Sequence, residues 1–503
     1  MRNQLSRRGF LGATAGAVLL AGCGTGAGSG PGGGRLRAAF SGGGATEVLD
    51  PHKANLFVEA ARSKAMFDKL ADLGDDVAPR PRLAERWEPS EDLRTWRVSL
   101  RRATFHDGRP VRAQDVLASY ARILDPKGGF RARSSLALID LRASKAVDDR
   151  TVEFGLKRPF AEFPNVLAAF GAYIVPEDLR DFSKPVGSGP FRFKSWTPGR
   201  SVVLTGYDGY WEGAPNVEEL EFLIANEESA RINALLGGQV EYAHDVSPAA
   251  ARQHRSRARF VHSPNSNTQA FAMKVDRPPF DERDLREAMF LLTDRRQLVN
   301  TTMPGAGRIG NDLFGKGYLH YAADIPQREP DLDRAKALIK KAGAEGATIE
   351  LTTSQASAGF VEAATVFADQ IRAAGLDAKI VTGNKDTYWT DILKKGTLVS
   401  FRSGAMPIET HISQRLLSDS TTNATKWARP EFDVLYDRAV SSTRERDRQD
   451  AFGEMQRMLH AEGGLLVWGF ADGIVATSEN LTGVRGAPFN TLDWARFDKV
   501  RLG

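Results

Sequence analysis

Residues 348–382 constrain the fold more than any other segment. Residues 348–352 read as a strand, and residues 359–374 read as a helix with Ala364, Phe367, Ala368 and Ile371 inward. Gly375 stands where a left-handed residue ends a helix, and residues 377–381 form a second strand. Two strands joined by a crossover helix make a right-handed β-α-β unit, which needs a parallel sheet. The C-terminal half is therefore predicted to be an α/β domain.

Similar alternation runs through the rest of the chain. Trp96, Val98 and Leu100 mark one strand, and Val152, Phe154 and Leu156 another. Residues 113–124 place Val116, Leu117, Tyr120, Ile123 and Leu124 on one helical face. Residues 201–205 and 217–224 read as strands separated by the loop 207–213. Residues 281–299, with Leu285, Met289 and Leu292 in register, predict one long helix, and residues 331–342 another. No repeat of 20–50 residues is visible.

The N-terminus speaks to compartment. An apolar run from Gly9 to Gly22 follows Arg7 and Arg8 and ends in Leu20-Ala21-Gly22-Cys23. The arginine pair resembles a Tat export signal, and the last four residues resemble a bacterial lipobox. On that resemblance residues 1–22 are a removed signal, and Cys23 is the lipidated mature N-terminus. Residues 23–35 are rich in glycine and read as a flexible tether spanning on the order of 20 Å. The formal charge of +5 falls by three to +2 once Arg2, Arg7 and Arg8 leave with the signal. That balance gives no electrostatic footprint for nucleic acid. Cys23 is the only cysteine, so no internal disulfide forms. No later stretch approaches the ~20 apolar residues of a membrane span.

Catalytic motifs are missing. None of the eight histidines falls in an HExxH pattern, no GxSxG elbow occurs, and no cysteine is left for a zinc site. Gly28, Gly30 and Gly33 fit GxGxxG but lie in the tether. Gly305 to Gly310 fit GxGxxG, and Gly310 to Lys316 fit GxxxxGK. The second is followed by Gly317 instead of Ser or Thr, so both read as a Gly-rich surface loop. Glu218 and Glu219 are adjacent in a predicted strand and point to opposite faces. No cofactor or metal is expected.

Longer strings carry more. Leu83-Ala84-Glu85-Arg86-Trp87 leads to Thr95-Trp96-Arg97-Val98, then to Phe105-His106-Asp107-Gly108-Arg109-Pro110-Val111 and Ala113-Gln114-Asp115-Val116. Leu49-Asp50-Pro51-His52 precedes them. Gly187-Ser188-Gly189-Pro190-Phe191, Tyr210-Trp211-Glu212-Gly213, Pro278-Pro279-Phe280-Asp281 and Pro430-Glu431-Phe432-Asp433 follow in order. This series resembles the extracellular solute-binding proteins of family 5, the oligopeptide, dipeptide and nickel-chelate binders of ABC importers. Read physically, His106, Asp107 and Asp115 are expected to shape a turn and a helix start, and Tyr210 and Trp211 to be structural. Arg112 stands where the family often has a Ser or Thr cap.

The resemblance implies an α/β, two-lobed, periplasmic-binding-protein-like fold of type II, in the large class with an extra inserted domain. By analogy domain I comprises residues 36–75, 185–270 and 481–503, domain II residues 76–184, and the second lobe residues 271–480. It implies a monomeric, non-enzymatic binder, lipid-anchored outside the cell membrane, that closes on a peptide or other small polar solute and presents it to permease subunits. The alternatives are an exported hydrolase on the same scaffold and a sensing or chaperone-like lipoprotein without a transporter. In peptide-binding relatives an acidic residue after Asp-Pro-His lines the cleft, and that position is Asn55 here. Trp389 matches a pocket wall and Arg402 a cleft arginine. Ala405-Met406-Pro407-Ile408 stands where Trp-x-x-Asp grips a peptide ammonium. Either Glu409 replaces that Asp after a one-residue shift, or the ligand has no free α-amino group. The second is preferred, because a buried ammonium without a counter-charge is strongly disfavoured. His411 is a further candidate for a metal chelate or an oxyanion.

Overall fold

The computed structural model describes residues 34–44, 47–357, 359–384, 387–389 and 393–503. Arg7, Arg8, Cys23 and most of the tether lie outside the described residues. The dominant element is an eleven-stranded sheet. From one edge its order is Asp377–Gly383, Thr348–Ser354, Leu398–Gly404, Arg259–Met273, Leu465–Thr477, Tyr242–Ala243, Arg35–Phe40, Glu219–Ile224, Ser201–Gly206 and Phe191–Thr197. The short strand Gly307–Ile309 pairs with Leu465–Thr477 off this path. Two strands, Arg259–Met273 and Leu465–Thr477, are much longer than the rest, with 15 and 13 residues. They pair antiparallel along nearly their whole length and join the two halves of the sheet, so the molecule has two lobes.

The β-α-β unit is present. Thr348–Ser354 pairs parallel with Asp377–Gly383, the helix Phe360–Ala373 crosses between them, and Gly375 has φ +92°. Phe367 on that helix stacks on Phe271 of the long strand with ring centroids 4.4 Å apart, which closes the core of this half. The expected helix over residues 281–299 is two helices, Arg283–Leu292 and Arg295–Thr302. Thr293 turns extended, and the Asp294 side chain caps the second helix by accepting from Gln297 N at 2.9 Å.

A separate four-stranded sheet is ordered Ala84–Pro89, Thr95–Leu100, Thr151–Leu156, Ile139–Asp148. The helix Ala113–Leu124 covers it. Arg112 supplies no side-chain cap; its N–H donates to Asp115 Oδ2 at 2.9 Å, and the Asp115 N–H donates to the Arg112 carbonyl at 3.1 Å. His106 is a structural tie: its ring meets Gly189 O at 3.0 Å and accepts from Gly187 N at 3.2 Å. A β-carbon at Gly187 or Gly189 would strike the Met66 or Ala65 carbonyl, so the Gly-Ser-Gly-Pro string is set by close backbone approach. Tyr210 and Trp211 are structural as well. The Tyr210 hydroxyl accepts from Arg82 Nη2 at 2.6 Å, and Trp211 Nε1 donates to Asp68 Oδ2 at 2.9 Å. Gly307 to Gly310 form a strand and a loop, not a phosphate-binding helix start.

Candidate functional site

Strand direction locates the site. Arg35–Phe40 runs parallel to Glu219–Ile224 and to Tyr242–Ala243, and Leu398–Gly404 runs parallel to Thr348–Ser354. Ala243 lies opposite Ala476, and Gly404 lies opposite Asn267, itself opposite Ala471. The carboxyl ends of both parallel sets therefore face each other across the middle of the long strands. Their register shifts there, between Ser263 and Asn267. Ligands of open α/β sheets bind at such carboxyl ends. From one lobe the loop after Phe40 and the exposed Asp245, between buried His244 and Val246, lie at these strand ends. From the other come the loop after Ser354 and the segment Ala405–Pro407.

Arg402 sits near the end of its strand, half-buried, and its Nη1 donates to Ser357 Oγ at 2.9 Å. Burial pushes its guanidinium down, and the one charge that supports it is Asp245, across the cleft. Asp245 is exposed and has φ +55°, while its carbonyl is held by Arg231 Nη2 at 3.0 Å. Among the described residues neither side chain makes an ion pair, so Arg402 and Asp245 present opposite charges from opposite lobes. Trp389 is 39% exposed and packs edge-on against Tyr388, with centroids 5.3 Å apart. Phe360 links it to Arg402, lying 5.9 Å from Trp389 while its N–H donates to the Ser357 carbonyl. A β-carbon at Gly404 would meet nothing within 4 Å, so the strand end opens into free space.

The other sequence candidates fall elsewhere. Asn55 is exposed on the opposite lobe, its side chain donating to Lys53 O at 3.0 Å. Glu409 is not a cleft carboxylate. It is buried between helices Ile408–Arg415 and Pro430–Val440, where it accepts from Tyr436 Oη at 2.7 Å and from Thr410 Oγ1 at 3.0 Å. Burial raises its pKa although Tyr436 opposes the shift. Ile408 is buried in the core, so no carboxylate takes the place of the missing family Asp. His411 is not presented to a ligand either. It is 2% exposed, stacked on Phe314 with centroids 3.8 Å apart, and both ring nitrogens lack a hydrogen-bond partner. The adjoining cavity of about 30 Å³ exceeds the roughly 10–15 Å³ that one water needs, so it has room for water. Burial holds the imidazole neutral. Among the described residues no His, Asp or Glu cluster could hold a metal, and no helix is long and apolar enough to cross a membrane.

Sequence reasoning missed Asp245, Ser357 and Phe360. His244-Asp245 closes a predicted extended segment just before Ser247-Pro248, a helix start, and that strand-end position is the one signal that points to it.

Two lobes, converging strand ends and unpaired charges facing across a cleft define a solute-binding protein of the periplasmic-binding-protein type. The chain belongs to the bacterial extracellular solute-binding proteins, family 5, whose middle region matches residues 78–423. The peptide transport periplasmic protein SapA of Salmonella typhimurium is 25% identical over 498 residues, covering 90% of each chain. The dipeptide-binding protein of Escherichia coli is 26% identical over 432 residues, 77% of this chain and 80% of that one. The ABC transporter substrate binding protein CtaP from Listeria monocytogenes superposes with a TM-score of 0.84 at 20% identity, over 94% of this chain and 99% of that one. Proteins of this family bind solutes outside the cytoplasm and are not enzymes, and that is the class of this chain.

Proposed function

We propose that this chain is the lipid-anchored receptor of an ABC importer. It takes up an acidic or carbonyl-rich small solute, a modified peptide among them, and hands it unchanged to membrane permeases. Residues 36–75, 185–270 and 481–503 with the inserted residues 76–184 act as one lobe, and residues 271–480 as the other. Cys23 carries the lipid, and the glycine tether lets the lobes stand clear of the headgroups.

The observation that carries this reading is the facing pair Arg402 and Asp245. Among the described residues neither makes an ion pair, and each belongs to a different lobe of this reading, so a solute touching both gains contacts only when the lobes close. The planar guanidinium suits an anionic or carbonyl-bearing group. Trp389, 39% exposed, supplies an apolar wall. The test is gentle purification, denaturation and mass spectrometry of what is released. An intact small solute with an anionic group supports the proposal. A solute recovered only as cleaved fragments overturns it.

A further inference from the structure

Near the C-terminus the chain closes a loop over the main sheet. Leu481–Thr482 pairs antiparallel with Arg501–Leu502, so residues 483–500 are held at both ends. The loop lies on the half of the sheet that contains Arg35–Phe40. There Phe497 packs edge-on against Tyr242 and Phe222, with ring centroids 5.1 and 5.7 Å away. The cover is incomplete, because a cavity of about 290 Å³ remains between the loop and the strands. Val475, Val484, Phe497 and Val500 give it an apolar wall. It is not the interlobe cleft. Glu212, which also lines it, precedes the amino end of Glu219–Ile224, whereas the cleft lies at the carboxyl ends of the parallel strands.

Two polar groups in this cavity are unsatisfied. Tyr242 and Ser263 both line it and are each 2% exposed, so the little surface they keep faces it. Among the described residues neither hydroxyl has a hydrogen-bond partner. Buried polar groups are ordinarily paired, and small-molecule pockets combine an apolar lining with a few such groups. Burial raises the Tyr242 pKa, so the phenol stays neutral. The charges around the cavity are already matched. Arg485 meets Asp493 at 2.9 Å, Arg496 meets Glu212 at 2.8 Å, and Lys499 lies 3.5 Å from Asp498. A charged group drawn inside would be buried without a counter-charge, which is disfavoured, so the cavity suits a neutral occupant. Size narrows it further. An apolar cavity of roughly 150 Å³ holds benzene, so about 290 Å³ suits two fused rings.

We propose that this cavity is a second ligand site, separate from the interlobe cleft, for a neutral two-ring molecule whose hydroxyl or carbonyl is held by Tyr242 and Ser263. Ser263 lies on the long strand Arg259–Met273 just before its register shift, so the occupant touches an element that joins the lobes.

The experiment titrates naphthol into the purified full chain by calorimetry, with naphthalenesulfonate as the charged compound of the same ring size. Wild type, Tyr242→Phe, Ser263→Ala and Val484→Trp are compared, and wild type is measured both as isolated and after its cleft solute is stripped. Naphthol is expected to bind at one site with the same affinity in both wild-type preparations. Tyr242→Phe and Ser263→Ala should each weaken it about two- to tenfold, the loss of one hydrogen bond. Val484→Trp fills the space from a half-buried wall position and should abolish binding. Naphthalenesulfonate should bind at least about tenfold more weakly than naphthol. No binding up to the solubility limit of naphthol means a cavity that holds water only and overturns the site. So does an affinity unchanged in Val484→Trp, or unchanged in both hydroxyl variants, which remove a single oxygen and decide the matter if Val484→Trp does not fold. An affinity altered by stripping places naphthol in the cleft and overturns the separation, and equal binding of the sulfonate overturns the preference for a neutral ligand.

Discussion

Glu162 offers a direct handle on closure. It precedes the helix Phe163–Leu167 beside the four-stranded sheet and is buried. Its Oε1 lies 3.3 Å from His320 Nε2 and 3.2 Å from Arg448 Nε, both in the other lobe as proposed. Next to it Ala161 N donates to Val440 O at 2.6 Å, and Phe160, Phe163, Tyr436 and Val440 share one apolar cluster. Glu162→Ala leaves His320 and Arg448 with Glu445 as their remaining carboxylate. Removing one partner of a buried pair costs about 3–5 kcal/mol, and the lower end applies because Arg448 keeps Glu445. If the contact exists only in the closed form, about 3 kcal/mol appears as a roughly hundredfold rise in Kd. Unfolding of the solute-free protein then changes little. The same contact carries a pH sign. Burial opposes a charge on His320, but Glu162, Gln449 and Glu445 outweigh it and raise its pKa above 6.5. Its contribution is complete below that ordinary value and is lost as pH rises through the raised one. Calorimetry with the recovered solute and parallel melting of the solute-free protein test both points. An unchanged Kd with a lowered Tm would refute the reasoning, because it would show a contact that persists in the open form.

Three further predictions follow from the same structure. Burial lowers the pKa of both His52 and His244 to about 4, so each contributes stability that is full above pH 6.5 and lost as pH falls through 4, up to about 3 kcal/mol apiece. Denaturant titrations at pH 7 and 4.5 should show a smaller loss in His244→Phe than in wild type, and an equal loss would contradict the assignment. Cys23→Ser should move the protein from the membrane pellet to the soluble fraction, a result that cell fractionation would contradict if the variant stayed in the pellet. Ala-Ala-Ala should bind poorly, since Ile408 stands where the resemblance places the ammonium-gripping Asp and the cleft carboxylate Asp245 already supports Arg402, and sub-micromolar affinity by calorimetry would count against that claim.

The sequence strings disclosed the fold because they are set by local chemistry. Asp-Gly turns, glycines under a neighbouring backbone and Gly375 at a helix end read the same in one dimension as in three. The split near Thr293 was hidden because Leu285, Met289 and Leu292 keep helical register up to the break, and only the Asp294 cap reveals it. Arg402 and Trp389 were proposed from motif position alone. Glu409 and His411 were misplaced for a geometric reason: one step along a helix turns a side chain by about 100°. That turn carries Glu409 from the position of Ile408 to Tyr436 and into the helix interface. Asp245 shares no motif with Arg402 and comes from a segment far away in the chain. Their relation exists only once the lobes are assembled.

The central claim is reversible closure on an unaltered solute. Small-angle X-ray scattering of the protein as isolated, after stripping, and after return of the same solute tests it most directly. The account predicts a radius of gyration that rises on stripping and falls back on return, with the solute mass unchanged. A radius indifferent to the solute, or a solute changed in mass after release, would contradict it.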